Sequence, residues 1–331
     1  MILIVTLNPA LDVTYHAGRV DWDGVNRPHR VTGQPGGKGI NVARTLRALG
    51  TEVLVTGLAG GATGEALRRG LREDGIACEL AGIAGQTRRT LAVVDAARGT
   101  TALFNEPGPA VDRAEWDGFC VLYEKSLGQC AAVVLTGSLP PGVPEDGYAV
   151  LAARAAAAGV PVLLDAGGAA LRAGVAAGPA IAKPNLAELA SALGRPVPPR
   201  AAAVRRAAAG LMAAGARAVV VSLGADGLIA VTGEGCWRAV APPQDGGNPT
   251  GAGDAVAAAL AQGLACGWGW PERLRQAAAL GAATAAAPVA GVFGQDAYRA
   301  ALAGVRVEQI GRDAAGSTPG AGRPGGPGEV P

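Results

Sequence analysis

The chain has 331 residues, 49% apolar, 17% charged and only 4% aromatic, with a formal net charge of +2. That content can bury a full core rich in Ala and Gly, and the near-neutral balance gives no electrostatic case for a nucleic-acid or membrane partner. Two histidines (His16, His29) leave little material for a zinc site or a Ser-His-Asp triad, and five scattered cysteines without a C-x-x-C pair point to reduced thiols in a cytoplasmic protein.

Residues 2–7, ILIVTL, read as a buried first strand, too short for a signal peptide or a membrane span. Asp12 follows just past its end, where open α/β sheets bind ligands, and it can hold sugar hydroxyls or simply form an Asx turn. Residues 11–33 show no helical period. The run QPGGKGINVART (34–45) then opens an amphipathic helix over 39–50. Gly36 and Gly37 allow close backbone approach, Lys38 brings a positive charge to the helix N-terminus, and Asn41 one turn in suits a hydroxyl. A solvated lysine after a tight turn fits the same residues.

A second strand is expected over 52–60 and a hairpin over 87–106, turning at Ala97-Arg98-Gly99. With 11–33, this hairpin forms either a small β-sheet standing off the main sheet or ordinary surface excursions. Strands over 131–137, 160–167, 181–185 and 217–224 alternate with helices over 145–158 and 200–214. The alternation calls for a mostly parallel sheet covered by helices on both faces. From Gly311 on the chain is Gly/Pro/Ala-rich without apolar period, and a disordered tail is expected. No internal repeat is visible.

Three further stretches carry chemistry. In KPNLAELA (183–190), Asn185 and Glu188 have capping-box spacing, and the carboxylate also suits Mg²⁺-bound water near phosphates. SLGADG (222–227) is a turn after a strand that could lie along a nucleotide. GNPTGAGDAVAAAL (247–260) lacks the Lys-Ser/Thr of a Walker loop and sits too late for a dinucleotide fingerprint. It fits phosphoryl transfer to a hydroxyl: backbone N–H groups of 251–254 hold charge on the moving phosphoryl group, and Asp254 takes the alcohol proton. Read alone, Asp254 is equally a favourable first-turn acid.

TLNPALD (6–12), GGKGINVA (36–43), TGSLPPG (136–142), KPNLAEL (183–189), VSLGADG (221–227) and NPTGAGDA (248–255) occur in the order and spacing of the phosphofructokinase B group of ribokinase-like sugar kinases. The chain resembles that group from residue 1 to about 305. TLNPALD and GGKGINVAR look most like its 1-phosphofructokinase, tagatose-6-phosphate kinase and minor 6-phosphofructokinase branch. The resemblance implies a three-layer α/β/α, ribokinase-like domain over 1–310 with a β-sheet lid formed by about 11–33 and 87–106. It also implies a homodimer through the lid, and MgATP as phosphoryl donor to a sugar phosphate. Asp254 is then the base, with Gly251, Ala252 and Gly253 as anion hole. Asp12, Gly37, Lys38, Asn41 and Arg88 meet the sugar phosphate. Lys183, Asn185, Ser222, Gly224 and Gly227 fall along the nucleotide, and Glu188 acts on Mg²⁺ through water and phosphate.

One departure bears on the substrate. Many 1-phosphofructokinases read T-R-x-N-V-K after the lid turn, whereas this chain has Thr90 and Ala92 at the Asn and Lys places, with Arg89 or Arg27 as candidates for the missing charge. Fructose 1-phosphate and tagatose 6-phosphate therefore rank nearly equal, with fructose 6-phosphate third. A kinase of an unphosphorylated sugar or nucleoside would leave Lys38 and Arg88 without an anionic partner. A sugar-phosphate-binding regulator would have no use for the intact Gly-Ala-Gly-Asp run.

Overall fold

Ile2–Thr6 forms the first strand, β1, with every side chain buried. A strand apolar on both faces needs helices on both sides. The computed structural model, which describes residues 1–244, 247–287 and 291–311, supplies them. After β1 come β2 (Ala10–Ala17), β3 (Arg30–Gly36), α1 (Lys38–Ala48), β4 (Val53–Ala59), α2 (Gly61–Glu73), β5 (Ala77–Gly82), β6 (Arg88–Asp95) and β7 (Thr100–Asn105). The middle of the chain gives α3 (Arg113–Leu127), β8 (Ala132–Thr136), α4 (Gly147–Ala157), β9 (Val162–Asp165), α5 (Gly168–Ala176), β10 (Ile181–Ala182), α6 (Leu186–Leu193) and α7 (Ala201–Ala213). It closes with β11 (Ala218–Ser222), β12 (Leu228–Thr232), β13 (Cys236–Val240), α8 (Ala252–Ala265), α9 (Trp270–Ala285), α10 (Gln295–Gly304) and β14 (Arg306–Ile310).

Among the described residues the main sheet has ten strands in the order β14-β13-β12-β11-β10-β9-β8-β1-β4-β5. From β5 to β11 neighbours run parallel. The last three strands extend the sheet antiparallel, which the βα alternation did not foretell. Alternate β1 residues face opposite layers. Leu3 and Val5 pack with Phe119 and Tyr123 of α3, Leu151 of α4 and Leu171 of α5. Ile2 and Ile4 pack with Leu46 of α1, Leu67 of α2, Leu260 of α8 and Leu280 of α9. The result is the expected three-layer, ribokinase-like α/β/α fold.

A second, four-stranded sheet has the order β3-β2-β6-β7, with β2 and β6 parallel and the outer pairs antiparallel. Its strands occupy 10–17, 30–36, 88–95 and 100–105, so the two stretches without helical rhythm do meet in a separate small sheet. The expected tail lies, apart from Gly311, outside the described residues. No helix among the described residues is long and apolar enough to cross a membrane.

Candidate active site

The carboxyl ends of β1, β8, β9, β10 and β11 lie along one edge of the main sheet, with the small sheet beside β1 and the N-termini of α1 and α8 above. That edge is where parallel α/β sheets bind ligands. Gly251 caps α8 in the left-handed region (φ 87°) and offers no side chain to the first-turn N–H groups. Asp254 lies in that turn, only 7% exposed. Asn41 Nδ2, from α1, donates to Asp254 Oδ2 at 2.8 Å. Burial, then the negative charge of Asp165, push the Asp254 carboxyl up to about 6, against the Asn41 hydrogen bond, Lys38 and Lys183. A first-turn acid that only complemented the helix dipole would be held below the usual carboxylate range. Asp254 instead combines ionisation at neutral pH with unusual basicity, as a general base requires.

A chain of alternating charges runs beneath it. Lys38, at the start of α1, donates to Glu188 Oε1 at 3.0 Å and lies 3.8 Å from Asp165 Oδ1. Lys183 Nζ lies 3.1 Å from the same Asp165 oxygen, both side chains almost fully buried. Thr136, at the end of β8, donates to Asp165 Oδ2 at 3.2 Å. Asp165, then Glu188, hold Lys38 firmly protonated, its pKa raised despite burial. Lys183, expected along the nucleotide, is thus tied into the floor of the site, under the α8 N-terminus. Asp165 was absent from the candidates, although the rule that singled out Asp12 applies to it: a carboxylate ending a buried parallel strand, before Gly167-Gly168.

On the side of the small sheet, Asp12 and Thr90 are register partners across β2 and β6, which sets the Thr90 hydroxyl beside the Asp12 carboxylate. Burial raises the Asp12 pKa; Thr90, Arg88 and Arg44 oppose it. A Cβ on Gly36 would come within 2.0 Å of Asp12 Oδ2, so a side chain there would displace the carboxylate. Gly37 turns the chain into α1 at φ 102°. Arg88 Nε donates to the Asn8 carbonyl at 3.1 Å. Its half-buried guanidinium also donates from Nη1 to the Glu106 carbonyl at 3.3 Å, has no carboxylate at hydrogen-bond distance among the described residues, and has its pKa lowered by burial. It lines a cavity of about 430 Å³ with Glu106, Pro107 and Gly108. A second cavity, about 410 Å³, lies between Lys38, Glu188, Ser138 and Gly167.

The two arginines proposed for the missing charge fare differently from Arg88. Arg89 falls on the opposite face of β6 and pairs with Glu106 at 3.0 Å, so it does not point toward Asp12. Arg27 is exposed in the loop between β2 and β3, outside these contacts.

At the other end of the edge, Ser222 N donates to the Pro184 carbonyl and Ser222 bridges Asn185, so the 183–185 and 222–227 segments run side by side. Gly224 opens a single 3₁₀ turn, and Gly227 closes it, with Leu223 N donating to its carbonyl at 2.9 Å. Asn185 and Glu188 form a complete capping box on α6: Asn185 Oδ1 accepts from Glu188 N and Glu188 Oε2 from Asn185 N. Glu188 keeps a partly exposed carboxylate on the cavity wall. Among the described residues no three metal-ligating side chains cluster. Mg²⁺ is commonly held by one or two carboxylates, waters and substrate phosphates, and Glu188 fits that way of binding.

The chain matches the model of the pfkB family of carbohydrate kinases over residues 5–292 and belongs to that family. Phosphofructokinase-2 of Escherichia coli, solved in complex with fructose-6-phosphate, is 32% identical with a TM-score of 0.82, covering 91% of this chain and 98% of its own. Its tetrameric inhibited form aligns with a TM-score of 0.83 over the same shares of the two chains and 32% identity. A possible 1-phosphofructokinase of Thermotoga maritima is 28% identical with a TM-score of 0.83, covering 94% of this chain and 99% of its own. The protein is therefore a carbohydrate kinase with a phosphofructokinase-like fold.

Proposed function

We propose that this kinase transfers the γ-phosphoryl group of ATP to a hydroxyl of a ketohexose phosphate, giving the bisphosphate. The observation that carries this reading is Asp254, a buried carboxylate of raised pKa in the first turn of α8, beside Asn41 and facing the cleft. Asp254 accepts the hydroxyl proton as the new O–P bond forms. The bond from the γ-phosphorus to the bridging oxygen breaks, and ADP leaves with that electron pair. N–H groups of Gly251, Ala252, Gly253 and Asp254, aligned with the positive end of the helix, stabilise charge on the phosphoryl oxygens in flight. Lys38 adds a fixed positive charge, and Asp12, Gly37 and Asn41 orient the acceptor.

The nucleotide runs along Asn185, Ser222, Gly224 and Gly227, with Lys183 beneath its phosphates. Mg²⁺, when bound, would neutralise phosphate charge; Glu188 would hold it through water. Arg88 takes the phosphate that the acceptor already carries. Fructose 1-phosphate and tagatose 6-phosphate are the first candidates, on the TLNPALD and GGKGINVAR motifs, with Thr90 and Ala92 removing the lead that fructose 1-phosphate would otherwise hold. Fructose 6-phosphate is favoured by the Escherichia coli relative crystallised with it.

The outward face of the small sheet carries Tyr15, Val31 and Phe104, 38%, 55% and 50% exposed, and a second copy of the chain would cover them as a homodimer through the lid. The test of the chemistry is Asp254→Asn, which should lose several orders of magnitude in turnover while still binding ATP, because base and local field act together. Turnover near wild type would refute the base assignment.

A further inference from the structure

Asn8 has no part in the reaction as proposed, yet four segments of the site meet on it. It lies just past β1, 7% exposed. Its Nδ2 donates to the Pro107 carbonyl and to Ser138 Oγ, both at 3.0 Å. Its own carbonyl accepts from Arg88 Nε at 3.1 Å. Among the described residues no donor reaches its buried Oδ1, which faces Gly108 so closely that a Cβ there would stand 2.3 Å away. Gly108 itself sits at φ 105°, a conformation that disfavours any side chain.

One residue therefore ties together four segments: its side-chain amide holds the β7–α3 and β8–α4 loops, and its backbone carbonyl holds the start of β6 to the end of β1. Pro107 and Gly108 line the same cavity as Arg88. Ser138 lines the cavity beside Lys38. We infer that Asn8 is a positioning residue: it clamps the 107–108 loop and Ser138 against the first strand and, through its carbonyl, sets where the Arg88 guanidinium points. The inference that the clamp acts on acceptor affinity rests on the proposed assignment of Arg88 to the acceptor's phosphate.

Asn8→Asp keeps the shape and replaces the donor by an acceptor facing the Pro107 carbonyl. In this variant the KM for the accepted sugar phosphate should rise about tenfold or more, with the KM for ATP nearly unchanged, as expected for one buried hydrogen-bonded tether. Fructose 1-phosphate, tagatose 6-phosphate and fructose 6-phosphate are the acceptors to use. Amide hydrogen exchange should accelerate at Val111, whose N–H donates to the Pro141 carbonyl, and at 88–90, and stay unchanged in α8 and β9. A merely structural role would raise exchange throughout and move both KM values together. Unchanged exchange at Val111 and 88–90 would overturn the clamp, whatever the kinetics. Faster local exchange with no split between the KM values would confirm the clamp and refute the assignment of Arg88. If Asn8→Asp does not fold, Gly108→Ala displaces Asn8 from the other side; the same local exchange is expected, and its absence overturns the inference.

Discussion

Asp165→Asn tests whether the buried charge chain sets the basicity of Asp254. The substitution removes one negative charge and preserves shape. Asp254 then loses the neighbour that, after burial, contributes most to raising its pKa, while Lys38 and Lys183 lose the carboxylate that occupies them at 3.8 and 3.1 Å. Both changes favour ionised Asp254. The full displacement, from 3.8 to about 6, corresponds to about 3 kcal/mol against the charged form. Burial persists in the variant, so part of that displacement, not all of it, is lost and the Asp254 pKa falls. The assay is kcat/KM for the acceptor against pH at saturating MgATP. A base must be unprotonated, so wild-type activity falls as pH drops through about 6. The acid limb of Asp165→Asn should lie lower, whatever happens to the plateau. An acid limb that stays in place or moves up would refute the electrostatic reasoning.

Other perturbations separate the parts of the site. The Asp254 pKa is raised on folding, so its ionisation opposes folding: stability falls as pH rises from 3.8 toward 6. Asp254→Asn should therefore raise the Tm at pH 7 while abolishing turnover, and a lower Tm at pH 7 would contradict the sign. Arg88→Ala should weaken sugar-phosphate binding far more than ATP binding, measured as separate KM values; equal losses would show that the phosphate sits elsewhere. Phe104→Glu on the outward face of the small sheet should convert a dimer to a monomer in sedimentation, and an unchanged oligomer would move the interface elsewhere.

Much of this could be read from residue order. The alternation of ILIVTL, EVLVTG, AAVVLTG and VPVLLD with Ala-rich helices is a local signal, and so are the glycines before Lys38 and Asp254. The small sheet was legible as one stretch without helical period and one hairpin, but not its parallel β2–β6 pairing, which joins residues about eighty positions apart. In the antiparallel edge, β12 (LIAVT) is as short and apolar as the parallel strands, so nothing in it marks direction, while β14 (RVEQI) is too polar and exposed to stand out as a strand. Asp165 escaped because its partners, Lys38, Thr136 and Lys183, come from three different elements and only the folded sheet brings them to one carboxylate. Arg89 misled for a related reason: period-two alternation puts it on the face opposite Arg88, a consequence that needs the strand boundaries to be known.

The central claim is that the acceptor already carries a phosphate. The most direct measurement is MgATP-dependent ADP release with fructose 1-phosphate, tagatose 6-phosphate and fructose 6-phosphate beside free fructose and free tagatose. At least one sugar phosphate should exceed its unphosphorylated parent in kcat/KM by about a hundredfold or more, the worth of a charge-assisted contact to a partly buried arginine. Equal or better turnover of the free sugars would contradict it.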